Sequence, residues 1–142
     1  MKKRHLITGA LGLTGAALAV KLLLRPRDVK WDEHAPHLHH AEHSRFALID
    51  GVWVHYQEAG AEDAPPLLLI HGFTASNFVW SDVLLAVAES GFRVIAPDLV
   101  GFGFSGKPKD GEYTIDAQAR MLIGLMDHLG VGCATLIGSS YG

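Results

Sequence analysis

The run Gly138-Ser139-Ser140-Tyr141-Gly142 holds the residues of most direct chemical interest in this chain. A serine hydroxyl is a weak nucleophile unless the fold holds it away from its own backbone and beside a base. A G-x-S-x-G spacing after an apolar run is typical of a sharp strand-to-helix turn that does this holding. The two outer glycines leave room for the turn, where a side chain would clash. Ser140, at the centre, is therefore the candidate nucleophile, and Ser139 is a turn residue.

Two more motifs with polar side chains follow predicted strands. The sequence His71-Gly72-Phe73 comes directly after the apolar run 67–70, and Asp98 opens the glycine-rich stretch DLVGFGFSGKP after the next apolar run. By residue type His71 is a candidate base and Asp98 a candidate acid. Continuous apolar runs of this length are typical of buried parallel strands.

The elements that position these motifs alternate along the chain from Arg45 onward. Asp50-Gly51 joins two β-rich runs and suits a tight hairpin turn that needs positive φ. The second run alternates in polarity, which predicts that His55 faces outward from a half-buried strand. Helices are predicted over 77–90 and 114–129, with Thr114 as N-cap and glycines beyond each end.

Helical spacing of apolar residues predicts which face of each helix is buried. The buried sets are Val79, Val83, Leu84, Val87 and Ala88 in the first helix, and Ile115, Ala119, Leu122, Ile123 and Met126 in the second. A hairpin followed by alternating strands and helices predicts an α/β fold with a mostly parallel sheet. Cys133, in the last apolar run, is expected to be a small buried thiol.

The N-terminal segment 1–30 begins with Lys2, Lys3 and Arg4 and is apolar over 6–24 except at Lys21. One interpretation is a secretory signal peptide with a small-x-small site at residues 17–19. The other is an uncleaved apolar helix that nearly spans a bilayer as a membrane anchor. We expect the anchor, because the apolar run continues past the candidate cleavage site. The protein is then membrane-anchored or exported.

Charge is divided unevenly along the chain. Residues 1–30 hold seven Lys or Arg and one acid, whereas residues 31–142 hold five and fourteen. An acidic body with a basic tip suits a membrane surface at its N-terminus and disfavours nucleic acid. The sequence therefore predicts no nucleic-acid partner.

Residues 31–44 form a polar stretch that is rich in histidine. Its five histidines are His34, His37, His39, His40 and His43. Such tracts can bind metal, but no cysteine accompanies them and Pro36 interrupts a helix. We expect a solvated linker and no metal site, with loose surface affinity for divalent ions as the alternative.

Taken together, HGF, DLVGFGFSGKP and GSSYG, each after a strand and in this order, make the chain from Arg45 to Gly142 resemble the N-terminal half of the α/β-hydrolase superfamily. The resemblance is to its serine esterase, C–C hydrolase and haloperoxidase-like branch. It implies an ester or related acyl substrate and no cofactor. Haloalkane dehalogenases and epoxide hydrolases of the superfamily carry an aspartate nucleophile where Ser140 stands, so the serine disfavours both reactions.

The resemblance also implies a role for each motif residue. Ser140 is the nucleophile, and the backbone N–H groups of Phe73 and Tyr141 form the oxyanion hole. The remaining motif residues shape the turns and loops around the site rather than act as base or acid. They are His71, Gly72, Asp98, Gly101, Gly103, Gly138 and Gly142.

The family order of serine, acid and then histidine places the acid and base of the triad after Ser140. All nine histidines precede Ser140. We therefore expect residues 45–142 to be a truncated hydrolase domain that ends at the nucleophile turn, inactive as written, with the last strand as an open apolar edge. The alternative is a non-catalytic, membrane-anchored binding module.

Overall fold

The structure, a computed structural model, describes residues 29–142. Helix α1 (Trp31–His34) and two 3-10 turns (Ala35–His37 and Ala41–His43) come first. They are followed by β1 (Ser44–Ile49), β2 (Val52–Ala59), β3 (Pro66–Ile70), a 3-10 turn (Asn77–Trp80), α2 (Ser81–Glu89), β4 (Arg93–Pro97), α3 (Ile115–His128) and β5 (Thr135–Gly138).

The five strands form one mixed sheet in the order β1-β2-β4-β3-β5. The β1/β2 and β2/β4 pairs are antiparallel, whereas β3/β4 and β3/β5 are parallel. The α/β class is confirmed, and the sheet is mixed. Four strands, β1, β3, β4 and β5, run in one direction, and β2, which follows the hairpin turn, runs against them and makes both antiparallel pairs.

The hairpin turn and both helices lie where the sequence predicted them. Asp50 and Gly51 have φ of 48° and 80°, so both turn positions are left-handed. The Thr114 side chain accepts a hydrogen bond from the Ala117 N–H and caps α3, and Gly130 beyond its end has φ of 67°. Helix α2 is preceded by a 3-10 turn, capped by the Ser76 side chain.

Apolar side chains cover both faces of the sheet. On one face Met121 and Leu125 of α3 pack with Val54, Leu68 and Ile95 of the strands. On the other face Leu84 of α2 packs with Leu67, Leu69, Val94 and Ala96 of the strands. Leu68 lies between Leu67 and Leu69 in β3, so strand alternation sends neighbouring leucines to opposite cores. The result is a three-layer α/β/α arrangement.

The predicted buried face of α3 is partly wrong. Leu122 and Met126 pack against the core, as predicted. Ile115 and Ile123, however, are 68% and 58% exposed, while Gln118, Met121 and Leu125 are buried. Gln118 is on the buried face because its side chain amide accepts from the Val100 N–H at 3.0 Å and donates to the Val100 C=O at 2.9 Å. Because Gln118 is polar, the helical spacing of apolar residues alone does not identify this buried face.

In α2 the predicted face is also partly wrong. Leu84 is fully buried, and Val87 and Ala88 pack against it, as predicted. Val79 and Val83, however, are 51% and 41% exposed. Val79 belongs to the preceding 3-10 turn, whose different rotation per residue carries its side chain off the α-helical stripe.

Strand β5 lies at one edge of the described sheet and pairs with β3. Its Leu136 and Ile137 are 59% and 43% exposed, which agrees with the open apolar edge expected from the sequence. The expectation for Cys133 is wrong, because this thiol is exposed. Cys133 precedes β5, outside the two cores that cover the central strands.

The histidine-rich stretch is partly packed on the body rather than fully solvated. Nε2 of His40 contacts the Ser81 carbonyl at 3.1 Å, and Nδ1 of His43 contacts the Glu58 carbonyl at 3.0 Å. The buried Gln57 amide donates to the backbone carbonyls of His39 and His40. No group of three or more metal-binding side chains occurs within residues 29–142.

The predicted apolar helix over 6–24 lies outside the described residues. Between Val29 and Gly142 the structure contains no helix with the length and apolar character needed to cross a bilayer.

Helix α3 provides a test of this packing. We expect Leu125→Ala, which empties a fully buried site, to lower the free energy of unfolding by about 2–5 kcal/mol. The matched change Ile123→Ala, two residues away and largely exposed, should cost less than about 0.5 kcal/mol. Urea unfolding of both variants measures the difference. Equal losses would mean that α3 is rotated from the orientation described.

Candidate active site

The three motifs meet at one edge of the sheet. His71, Asp98 and Ser139 directly or closely follow β3, β4 and β5, which are neighbouring parallel strands, so all three stand at carboxyl ends. The chain leaves β3 for β4 on one side and later returns to β5 on the other. Such a reversal of strand order opens a crevice where ligands bind in open α/β sheets.

The backbone at Ser140 has the conformation of a strained turn. Its φ is 59°, in the left-handed region that non-glycine residues seldom adopt. The turn is closed by a hydrogen bond from the Gly142 N–H to the Ser139 carbonyl at 3.0 Å, and the Ser139 N–H donates to the Ile70 carbonyl at 3.0 Å. Ser140 itself is exposed.

Close backbone contacts explain why glycine flanks the two serines. A Cβ at Gly138 would overlap the backbone of Gly142, and a Cβ at Gly142 would overlap the carbonyl oxygens of Ile70 and His71. A larger residue at Gly142 would push the turn away from the end of β3, and one at Gly138 would prevent the turn from closing. The spacing therefore encodes a turn that lies directly against the end of the neighbouring strand.

The Gly72-Phe73 turn lies directly against Ser140. A Cβ added at Gly72 would stand 2.9 Å from the Ser139 carbonyl oxygen and 3.0 Å from Cβ of Ser140. The rings of Phe73 and Tyr141 are 6.0 Å apart between centroids. Neither the Phe73 N–H nor the Tyr141 N–H donates a hydrogen bond within residues 29–142. The structure thus places Phe73 and Tyr141, the two residues predicted to form an oxyanion hole, in neighbouring turns.

His71 is fully buried and uses both of its ring nitrogens. Nδ1 lies 2.8 Å from the Gly72 carbonyl oxygen, and Nε2 accepts from the Leu99 N–H at 3.0 Å. An acceptor role for Nε2 places the proton on Nδ1, so the ring is neutral and has no spare lone pair. This geometry supports the predicted structural role over that of a base.

Asp98 is a buried carboxylate with three donors. Its Oδ1 accepts from the Asn77 N–H at 2.7 Å, and its Oδ2 contacts Nδ1 of His55 and the Phe104 N–H, both at 2.8 Å. Burial alone would raise the pKa of the Asp98 carboxyl. The hydrogen bond and charge of His55 and the N–H groups of Asn77 and Phe104 outweigh burial and hold the pKa below its ordinary value.

Glycines shape the loop after Asp98. Gly101 and Gly103 have φ of 94° and 47°. A Cβ at Gly103 would overlap the Asp98 carboxylate, and one at Gly101 would lie 2.8 Å from the ring of Tyr113. The loop therefore wraps the carboxylate closely enough to donate the Phe104 N–H to it.

The prediction that His55 faces outward is wrong. His55 is fully buried and bonded to Asp98, and its Nε2 has no partner within residues 29–142. Three rings cover the imidazole, those of Phe46, Phe104 and Trp31, with centroids at 4.9, 5.2 and 5.5 Å. The alternation of polar and apolar residues in β2 predicted that His55 faces solvent. The structure differs because Trp31, in the stretch expected to be a solvated linker, covers this side of the strand.

A second polar concavity lies away from these motifs. It has a volume of about 540 Å³ and is lined by residues that include Arg45, Glu58, Arg93 and His128. Arg93 begins β4, so this cavity is at the amino end of that strand, opposite the end that leads to Asp98. In this cavity Arg93 and Glu58 form an ion pair at 2.7 Å.

Comparison with known proteins assigns the family. A model of the alpha/beta hydrolase fold matches residues 65–142, and the chain belongs to that family. An epoxide hydrolase of Caballeronia sordidicola is 38% identical over 94 residues, which are 66% of this chain and 28% of that protein. Haloalkane dehalogenase 2 of Mycobacterium tuberculosis is 37% identical over 89 residues, 63% of this chain and 30% of the relative.

Solved structures give the same result. The crystal structure of an epoxide hydrolase from Vigna radiata superposes with a TM-score of 0.65 at 33% identity and covers 70% of this chain and 32% of that one. Epoxide hydrolase A from Mycobacterium thermoresistibile has a TM-score of 0.66, also at 33% identity, over 70% of this chain and 31% of that one. The chain thus spans about a third of the length of the proteins it matches.

The left-handed backbone at Ser140 predicts an unusual order of stability. We expect Ser140→Gly to be more stable than Ser140→Ala by about 1 kcal/mol, because glycine adopts positive φ without steric cost. At Ser139, which has no positive φ, alanine should be at least as stable as glycine. Urea unfolding of the four variants measures both differences. If the glycine and alanine variants had the same order of stability at both positions, this would contradict the left-handed turn at Ser140.

The buried carboxylate predicts a loss of stability in acid. A lowered folded-state pKa means that Asp98 contributes stability above the ordinary carboxyl pKa of about 3.9, and that this is lost as the pH falls through the lowered value. The difference in unfolding free energy between wild type and Asp98→Asn should be constant above about pH 5 and shrink below about pH 4. The exposed Asp127→Asn carries the same charge change and serves as control. A difference in unfolding free energy that does not change with pH would contradict the lowered pKa of Asp98.

Proposed function

We propose that the protein is a serine hydrolase that acts on an ester or related acyl bond, with Ser140 as nucleophile. The observation that carries this proposal is the left-handed turn at Ser140, set directly against the Gly72-Phe73 turn. Strain of this kind at an exposed polar residue is a feature of functional sites. The family membership supports hydrolysis as the reaction class.

In the proposed reaction the Ser140 hydroxyl oxygen attacks the carbonyl carbon of the substrate while a base takes its proton. The negative oxygen of the tetrahedral intermediate accepts hydrogen bonds from the N–H groups of Phe73 and Tyr141. The intermediate collapses, and the alcohol leaves with the proton that the base returns. Water then attacks the acyl-serine with help from the same base and releases the acid.

The base and its acid partner are proposed to follow Ser140 in the full-length protein, in the order that the family resemblance implies. Neither buried histidine near the site suits the role of base. His71 has both nitrogens engaged, and His55 is covered by three aromatic rings and bonded to Asp98.

A second candidate is hydrolysis of an epoxide or a haloalkane, which the names of the relatives favour. The serine weighs against it for a chemical reason. An aspartate that attacks an alkyl carbon forms an ester, which water can cleave at its carbonyl. A serine would form an alkyl ether, which has no carbonyl and would stay on the enzyme. Acyl transfer is therefore the better match to Ser140.

The proposed setting is a membrane or an exported compartment, with residues 6–24 as a signal anchor or signal peptide. The support is the basic start and apolar run of the sequence.

The test is an activity assay on the full-length protein with short p-nitrophenyl esters, styrene oxide and 1-bromobutane. We expect ester turnover, an acyl adduct on Ser140 detected by mass spectrometry, and a fall in kcat of at least about a thousandfold in Ser140→Ala. Ser139→Ala is the matched control and should retain turnover.

Ester turnover that survives Ser140→Ala would contradict the proposal. Turnover of the epoxide or bromide, without an adduct on Ser140, would favour the second candidate. No reaction with any substrate would favour a non-catalytic binding module.

A further inference from the structure

The loop that follows β3, residues 71–77, is held at its two ends by two consecutive residues, Leu99 and Asp98. At its start the Leu99 N–H donates to Nε2 of His71, whose Nδ1 bonds the Gly72 carbonyl. At its end the Asn77 N–H donates to Oδ1 of Asp98 at 2.7 Å. Asp98 and Leu99 are consecutive, so the loop closes on a single point after β4.

Between these two ends the loop has strained backbone and few bonds of its own. Thr74 has φ of 60°, a conformation that is unfavourable for a β-branched residue. The Ala75 N–H bonds the Gly72 carbonyl at 3.2 Å. Strained residues persist only where the surrounding structure holds them. The end anchors are therefore expected to maintain the Gly72-Phe73 turn in its place.

The anchor at Asp98 is itself rigid. Its carboxylate is fully buried and bonded to His55 and to the Phe104 N–H, as well as to Asn77. The Trp31 ring packs on the rings of His55 and Phe104, at 5.5 and 5.2 Å between centroids. A fully buried carboxylate with three donors has little freedom to move.

We propose that Asp98 is a positioning residue for the oxyanion hole. Through the Asn77 N–H it fixes the far end of the loop and thereby places the Phe73 N–H opposite Ser140, without touching the substrate. This inference rests on the proposed function, because the oxyanion hole belongs to that mechanism. A displaced N–H would weaken binding of the negative oxygen in the transition state more than binding of the neutral substrate, so kcat should change more than KM.

The variant Asn77→Pro tests the hydrogen bond between the Asn77 N–H and Asp98. Asn77 is the first residue of a 3-10 turn, where proline is well tolerated, and Ser76 before it is extended with φ −146° and ψ 178°, as a residue before proline should be. Proline removes the N–H that bonds Asp98. It also removes the side chain amide, which donates to the Ala96 carbonyl. Asn77→Ala loses that amide but keeps the N–H, so it is the matched reference.

We expect the kcat for ester hydrolysis to be about tenfold to a hundredfold lower in Asn77→Pro than in Asn77→Ala, with KM changed less than about threefold. Amide hydrogen exchange at residues 72–75 should be faster in the proline variant. Equal kcat in two folded variants would overturn the proposal.

If Asn77→Pro does not fold, Asp98→Asn with Asp127→Asn as reference replaces the pair. The asparagine keeps the shape but cannot accept from all three donors, so the same split between kcat and KM is expected. Equal kcat values would again overturn the proposal.

Failure of the proposed function gives a different result. In that case the wild type forms no acyl adduct on Ser140, and kinetics say nothing of the loop. Hydrogen exchange then decides alone: faster exchange at residues 72–75 in Asn77→Pro than in Asn77→Ala supports the anchor, and equal exchange overturns it.

Discussion

The buried carboxylate of Asp98 is the interaction on which the arrangement of the site depends. A charge removed from water is costly unless hydrogen bonds replace its hydration. Here the replacements come from three separate parts of the chain: His55 in β2, Asn77 after β3 and Phe104 after β4. Satisfying one carboxylate therefore fixes three segments relative to one another. The loop that contains the candidate oxyanion donor is one of them.

A second constraint is direct backbone contact between two turns. The Gly72-Phe73 turn and the turn around Ser140 approach so closely that a Cβ at Gly72 or at Gly142 would meet backbone of the opposing segment. Such contact requires the strands that lead into the turns to be neighbours in register. The pairing of Ile70 with Gly138 at the ends of β3 and β5 provides it. Sheet register thus sets the distance between the candidate nucleophile and the candidate oxyanion hole.

Sequence patterns predicted what depends on local chemistry. The Asp50-Gly51 turn, the Thr114 cap and the motif positions at strand ends follow from residue types within a few positions. Contacts distant in sequence were not visible in this way. His55 and Asp98 are 43 residues apart, and the buried face of α3 depends on the bond between Gln118 and the Val100 backbone. The hydrogen bond from the Asn77 N–H to Asp98 was missed as well, because almost every residue has a backbone N–H and the residue type does not show which one is used.

The proposed mechanism requires Ser140 to be the nucleophile and the N–H groups of Phe73 and Tyr141 to bind the negative oxygen. The most direct test is a crystal structure of the full-length protein reacted with a phosphonate ester, whose phosphorus mimics the tetrahedral carbon. We expect a bond from the Ser140 hydroxyl oxygen to phosphorus, with the phosphoryl oxygen within about 3.1 Å of the N–H nitrogens of both Phe73 and Tyr141. An adduct on any other residue, or a phosphoryl oxygen that points away from both nitrogens, would contradict it.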